Sequence, residues 1–413
     1  MSSNVSNTNA FFDLETALTA IENKISQLAP RSSIALPITE ADNHILAEDI
    51  KATMPVPPFN NSAMDGFALS LSTNPDSQTF TLVGEALAGK PFTKTIAPKQ
   101  CIRITTGGVL PTWADTVVMK EDTTFSKNTM TLISTPEIGA NIRKKGCDIA
   151  EGEVILHQGT RLTPAMLGLL ASLGIASAPI VSPLKVAVLS TGDELQPSSN
   201  PLQPGQIYES NRITLITTLQ RAGFSVIDHG IIPDDPEALQ TAFTQASQSA
   251  DVVISSGGVS VGEADHVKTI ISTIGEINFW KIAIKPGKPL AFGTIKNKLF
   301  FGLPGNPVSA LVTLLQVVLP SLRYWQGEKA KKPTLMAIIN HPIRKRAGRL
   351  DFQRGIYRRN DKGILEVGTT GSQSSGILSS VARANCFIPI PRESTGFAQG
   401  ETVEIIPFDK YLI

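Results

Sequence analysis

The chain reads as a multidomain α/β protein, and three changes of texture along it predict this. From residue 184 strands and helices alternate, "KVAVLS", "NRITLITTLQRAG", "FSVIDHG", "DPEALQTAFTQASQS", "DVVISSGG" and "HVKTIISTIG", ending in "NPVSALVTLLQVVLPSLRYW". Such alternation builds a doubly wound α/β domain, here over 181–330. Between 51 and 140 the pattern is instead short β-like runs, "TFTLVG", "CIRITTG", "DTVVMK" and "TMTLIST", broken by Gly, Pro and Asn, which predicts a small β-rich domain. After "KKP" at 331–333 the chain turns β-rich again to 413, with a hairpin signal in "RRNDKGILEV", and this predicts a terminal β-barrel or sandwich.

The remaining stretches are 11–50 and 141–180. "FFDLETALTAIENKISQLA" sets apolar residues at helical spacing before a short extended run, and 141–180 returns to mixed character. Because they flank the β-rich run, that run reads as an insertion into a discontinuous mixed α/β first domain. The uncharged stretch "LTPAMLGLLASLGIASAPIVSPL", 162–184, is long enough to span a bilayer, but glycines and prolines interrupt it. It reads as a short helix ending at Gly174, then a strand, both buried in a core.

Thirty-seven Lys and Arg against thirty-six Asp and Glu in 413 residues leave no global field to attract nucleic acid or an anionic membrane. Any positive site is local. The start, "MSSNVSNTNAFFDLE", lacks the basic end and apolar core of a signal peptide. Cys101, Cys147 and Cys386 share no metal-ligand spacing and read as reduced, buried thiols of a cytoplasmic protein.

Open α/β sheets collect ligands where strands hand over to helices, and four such junctions carry suggestive residues. "TGDEL" holds Thr191, Gly192, Asp193 and Glu194; "IPDDP" holds Asp234 and Asp235. "SSGGVSVGEAD" joins a strand to a helix through Ser256, Gly257, Gly258 and Ser260 to Asp265, a glycine loop whose N–H groups suit phosphate. "GLPGNPVS" puts Pro304, Asn306, Pro307 and Ser309 at the N-terminus of a long helix, where the dipole favours anions. Between the last two, Lys285 and Lys288 of "IKPGKP" sit on a Pro-Gly turn that fixes two ammonium groups, so removing either would weaken anion binding with the fold intact. Asp193, Glu194 and Asp265 are the Mg²⁺ candidates. Structural alternatives stand beside these: Asp235 before "PEAL" reads first as a helix N-cap, Asp265 equally as a cap or a site residue, and isolated lysines as solvated.

Two motif matches fail. "GEALAGKP" imitates a phosphate-binding loop but has Pro91 where Ser or Thr is required, in a β hairpin context. "GVSVG" imitates a nucleophile elbow, yet the loop runs on to Asp265 instead of turning sharply, and neither His266 nor His341 completes a triad. The basic run "RKRAGRLDFQRGIYRR" has too few aromatics for nucleic acid; Arg349 and the hydroxyls of "TTGSQSSG" are better read as reaching an anion in the α/β domain. "PPFNNSAMDGFA", 57–68, follows neither strand nor helix periodicity, so burial does not account for it.

"NSAMDGFA", "TGDEL", "SSGGVSVGEAD", "IKPGKP", "GLPGNPVSALV" and "GRLDFQRG" occur together in this order, and over essentially its full length the chain resembles the molybdopterin molybdenumtransferases, a family that includes the C-terminal domain of gephyrin. The resemblance implies a molybdopterin-binding α/β domain, a β-barrel at the end, and a cytoplasmic homodimer. It implies insertion of molybdenum from molybdate into adenylylated molybdopterin with Mg²⁺-dependent release of AMP. It further implies a molybdate seat at Lys285, Lys288, Ser309, Arg349, Ser374 and Ser375, a metal and hydrolysis side lined by Asp193, Glu194, Asp235 and Asp265, and another cleft acid at Asp148. The 57–68 loop, with Asn60 and Asp65, would face the partner subunit's cleft as a lid. The sequence departs from the family at Asn60, where Asp is common, and at "TTGGVLP". Expected partners are a molybdopterin adenylyltransferase and molybdoenzyme maturation proteins. An adenylyltransferase itself would share the α/β domain without needing the β domains, and a scaffold would need further partner-binding regions.

Overall fold

A computed structural model of the chain describes residues 11–258, 266–329 and 333–408. Its centre is a seven-stranded sheet in the order Phe11–Phe12, Gly275–Ile282, Pro289–Ile295, Lys298–Leu303, Val252–Ser256, Lys185–Thr191, Ser225–Ile232. The last four strands are mutually parallel. Both faces are covered, so "VAVL" at 186–189 is wholly buried instead of alternating. On one face Leu215 and Leu219 of the helix Asn211–Arg221 pack with the helical stretch 307–325. On the other, Leu239 and Phe243 of Pro236–Ser249 pack with Ile270 and Ile271 of His266–Ile274. The stretch 307–325 is apolar enough to cross a membrane by length and composition, but it lies mostly buried in this core.

The β-rich domain forms a six-stranded sheet, Thr116–Met119, Gly66–Leu69, Gln100–Ile104, Thr79–Ala86, Thr129–Leu132, Thr123–Ser126, with cores of its own around Phe80 and Met130 and around Ile102 and Val117. The flanking first domain has a separate core of Leu46, Leu156, Leu162 and Ile180, drawn from both sides of the insertion. Its helix Pro164–Ser172 stops before Gly174, which takes φ +73°, and the strand Ser177–Val181 follows.

One boundary differs from the sequence reading, which put 11–50 in the first domain. Phe11 and Phe12 instead add a parallel edge strand to Gly275–Ile282, and the helix Leu14–Ile25 buries Ala17, Ile21 and Ile25 in the α/β core. The apolar stripe at i, i+4, i+8 shows that the helix is buried, not which surface covers it. Asp13 caps it, accepting from the Thr16 N–H at 2.7 Å.

The terminal domain closes as a five-stranded barrel: Leu350–Arg359 pairs with Leu365–Thr369, then Leu335–Ile339, Thr402–Pro407 and Cys386–Ile390, which returns to Leu350–Arg359. The expected hairpin is present, with the Asn360 carboxamide accepting from the Lys362 and Ile364 N–H groups. The barrel does not stand apart, because Phe352, Val381, Phe387 and Phe408 join the α/β core. A bridge of Ile284–Lys285 alongside Leu350–Asp351 stitches the two backbones together. Cys101 and Cys386 are buried, and burial pushes both thiols up to about 12, but Cys147 is exposed, against expectation, because its loop lies on the surface.

Candidate active site

The C-terminal ends of the four parallel strands lie side by side, and the chain order reverses between Lys185–Thr191 and Val252–Ser256, the position at which open α/β sheets leave a crevice. A pocket of about 570 Å³ is there, lined among others by Thr191, Glu194, Glu209, Asn211, Ser256, Gly257 and Asn306. Glycine is required beside it. A Cβ on Gly257 would lie 2.4 Å from the Thr191 carbonyl oxygen, one on Gly258 2.8 Å from the Thr191 hydroxyl, and both residues have positive φ.

Two residues that the sequence reading passed over hold this pocket together. The Asn211 amide donates to the Ser256 hydroxyl at 2.8 Å and to the Gly305 carbonyl at 2.7 Å, clamping two of the junctions. Glu209 accepts from the Ser190 hydroxyl and the Arg212 N–H, and its second oxygen lies 3.7 Å from the Arg212 guanidinium; that oxygen and the Thr191 hydroxyl are buried without a hydrogen-bond partner. Neither residue lies in one of the four junction motifs, so the sequence pattern did not single them out.

Acids gather at one edge. Asp193 accepts from the Asp234 N–H at 3.0 Å. Burial, then the charges of Asp193 and Glu194, push the Asp234 carboxyl above its ordinary range. That crowding is what a cation would relieve, although among the described residues no three such groups converge as a ready ligand set. Asp235 is the N-cap of Pro236–Ser249, accepting from the Ala238 N–H at 2.9 Å, the structural role that the sequence reading put first. Ser260 and Asp265 lie outside the described residues.

The basic residues collect where the α/β domain meets the barrel. Lys285 reaches Asp351 at 3.2 Å. Ser309 lies nearly buried in the first turn of its helix, and the Val308 N–H donates to the Ser375 carbonyl at 3.1 Å, joining this helix to the loop with Ser374. Pro307 and Gly376, on either side of that contact, line the pocket, so the helix that carries Ser309 and the loop that carries Ser374 border it. Lys288 is exposed on the turn, with its ammonium 5.3 Å from the centre of the Phe11 ring. Pro304, buried, precedes the Asn306 cap.

Asn60, Asp65 and Asp148 belong to a different surface. The Asn60 carboxamide oxygen accepts from the Lys145 N–H at 2.8 Å, and the Gly146 and Asp148 N–H groups donate to Pro57 and Val56, so the 57–65 loop is zipped to the loop bearing Asp148. Asp65 accepts from the N–H of Thr106 at 2.7 Å and from its hydroxyl at 2.9 Å, which hold its carboxyl below the usual range.

Comparison with known proteins agrees with this arrangement. Residues 12–174 match the model of the MoeA N-terminal region (domain I and II), 187–324 that of a probable molybdopterin binding domain, and 337–408 that of the MoeA C-terminal region (domain IV). A molybdopterin molybdenumtransferase of Haemophilus influenzae is 47% identical over 93% of this chain and 96% of its own. The chain belongs to the molybdopterin molybdenumtransferase family. Gephyrin of Dictyostelium discoideum is 33% identical over 89% of the chain and 58% of its own length. The crystal structure of a molybdopterin biosynthesis protein from Pyrococcus horikoshii superposes with a TM-score of 0.79 at 32% identity, covering 97% of this chain and 100% of that one.

Proposed function

We propose that this member of the molybdopterin molybdenumtransferases transfers molybdenum from molybdate to the dithiolene sulfurs of adenylylated molybdopterin and releases AMP. The observation that carries the reading is the adjacency of two unlike sites. A glycine-lined pocket at the sheet's crevice suits a pyrophosphate-linked ligand, and it is bordered, at the Val308–Ser375 contact, by the helix and loop whose Ser309, Ser374 and Ser375, with Lys285 of the domain junction, suit a tetrahedral dianion. In this reading the N–H groups at Gly257 and Gly258 and the N-terminus of 307–325 hold the phosphates. Lys285, Lys288, Arg349 and the hydroxyls of Ser309, Ser374 and Ser375 hold molybdate.

Asp193 and Glu194, with Asp265, would hold Mg²⁺, which supplies charge neutralisation at phosphate oxygens. Asp148, Asp65 and Asn60 act from the lid surface in a cytoplasmic homodimer, the adduct arriving from a molybdopterin adenylyltransferase and the product passing to molybdoenzyme maturation proteins. The purified protein, given adenylylated molybdopterin, Mg²⁺ and molybdate, releases AMP in step with molybdate added. Release indifferent to molybdate overturns the reading.

A further inference from the structure

We propose that Asp351 is a positioning residue for the oxoanion, its buried carboxylate holding the Lys285 ammonium at the mouth of the basic cluster. The inference rests on the molybdate seat described above and adds a residue to it. Asp351 is 1% exposed, whereas the Lys285 side chain is 42% exposed, so the carboxylate lies inside and the ammonium faces out. Their backbones are already paired across the domain junction, and the Leu350 N–H donates to the Ala283 carbonyl at 2.8 Å. Gln353 supports the same carboxylate oxygen from 3.3 Å, while the other oxygen is buried with no hydrogen-bond partner; Lys345 and Arg354 lie within electrostatic reach, and Lys285 is the cation hydrogen-bonded to the carboxylate.

Neighbouring residues repeat the arrangement. The Lys345 ammonium donates to the Arg349 carbonyl at 2.7 Å and to the Arg392 carbonyl at 3.3 Å, fixing the backbone that carries Arg349. Arg354, wholly buried, donates to the Ser374 carbonyl at 3.3 Å and to the Ser380 hydroxyl at 3.1 Å, fixing the loop that carries Ser374. Three groups of the seat thus each have a charged residue behind them, and Asp351 is the one that acts on a side chain.

A lysine has three N–H donors, so holding one on Asp351 leaves two for the ligand. Its long stem is also ordered before the anion arrives, which removes an ordering cost worth about tenfold in affinity. Asp351→Asn keeps the size and an acceptor but removes the charge that anchors the ammonium.

The test is calorimetric titration of sodium molybdate into the purified full chain, wild type, Asp351→Asn, Lys285→Ala and the double variant, with AMP release followed over a range of molybdate. Asp351→Asn should raise the molybdate dissociation constant and KM about tenfold while kcat at saturating molybdate stays within about twofold, and Asp351→Glu should recover part of the loss. In the double variant the Asp351 change should add almost nothing to the loss from Lys285→Ala. If Lys285→Ala weakens molybdate and Asp351→Asn does not, the positioning role is overturned and the seat survives. Tighter molybdate binding in Asp351→Asn, or a fall in kcat in step with thermal stability, overturns it as well. Wild-type affinity in Lys285→Ala overturns the seat and this role together.

Discussion

The basic cluster at the α/β–barrel junction and the 57–65 loop on the β-rich domain both present polar side chains, but they are built in opposite ways. At the junction a carboxylate is buried and hydrogen-bonded to a lysine, inside a core that two domains share. On the loop, Asp65 is exposed and held by a backbone N–H and a hydroxyl, in a domain whose cores are its own. The contrast teaches that ligand binding and stability are coupled at the first site and separable at the second.

Lys285→Ala should break the comparison most visibly. It removes the ammonium hydrogen-bonded to the buried Asp351 carboxylate, so stability should drop by about 2 kcal/mol, less than a fully buried pair would lose because Lys285 is partly solvated and Lys345 and Arg354 remain near the carboxylate. Lys288→Ala, from an exposed position, should lower molybdate affinity with an unchanged urea midpoint. The two lysines are therefore expected to differ, although the sequence reading expects the fold to stay intact without either. Equal midpoints for both variants would show that Lys285 is not coupled to stability through Asp351.

A smaller effect is expected from Asp115, the hydrogen-bond hub of the β-rich domain. Burial alone would raise its carboxyl, but donors on Ser72, Leu71 and Thr116 bring it down to about 2. A carboxyl with a depressed folded value stabilises above its unfolded value, roughly 4, and loses that contribution as pH falls through the folded one. Thermal unfolding of this domain should steepen between those limits, and the slope should flatten in Asp115→Asn.

The smallest change belongs to Asn60→Asp. Aspartate still offers an oxygen to the Lys145 N–H, so stability should move by less than about 0.5 kcal/mol and AMP release only modestly. A rate raised many-fold would mark the natural asparagine as a weakened site and would tie the loop to chemistry as tightly as the junction.

The placement of the strand-to-helix junctions was legible because they announce themselves through glycines and caps. The four junction motifs came to one edge of the sheet, and "NPVSALV" began its helix where expected. Less legible was whatever depends on pairing across the chain. Arg349, Asp351 and Arg354 read as one basic run, since sequence does not say that Asp351 turns inward to a lysine 66 residues earlier. The same limit applies to Leu14–Ile25, whose stripe fits any apolar surface. Asp235 was a cap on local evidence alone, and the structure shows the cap bond.

That N-terminal helix also orders events in time. Lys24 of this helix pairs with Glu276 of the strand Gly275–Ile282, and the helix leaves the ribosome roughly 250 residues ahead of that strand, a wait of tens of seconds at about 5–20 residues per second. During that interval Ala17, Ile21 and Ile25 have no native surface to cover them, while the β-rich insertion can already close around its own cores. The nascent chain thus carries an adhesive first segment until the α/β sheet is nearly finished, and the molecule is sealed by its beginning.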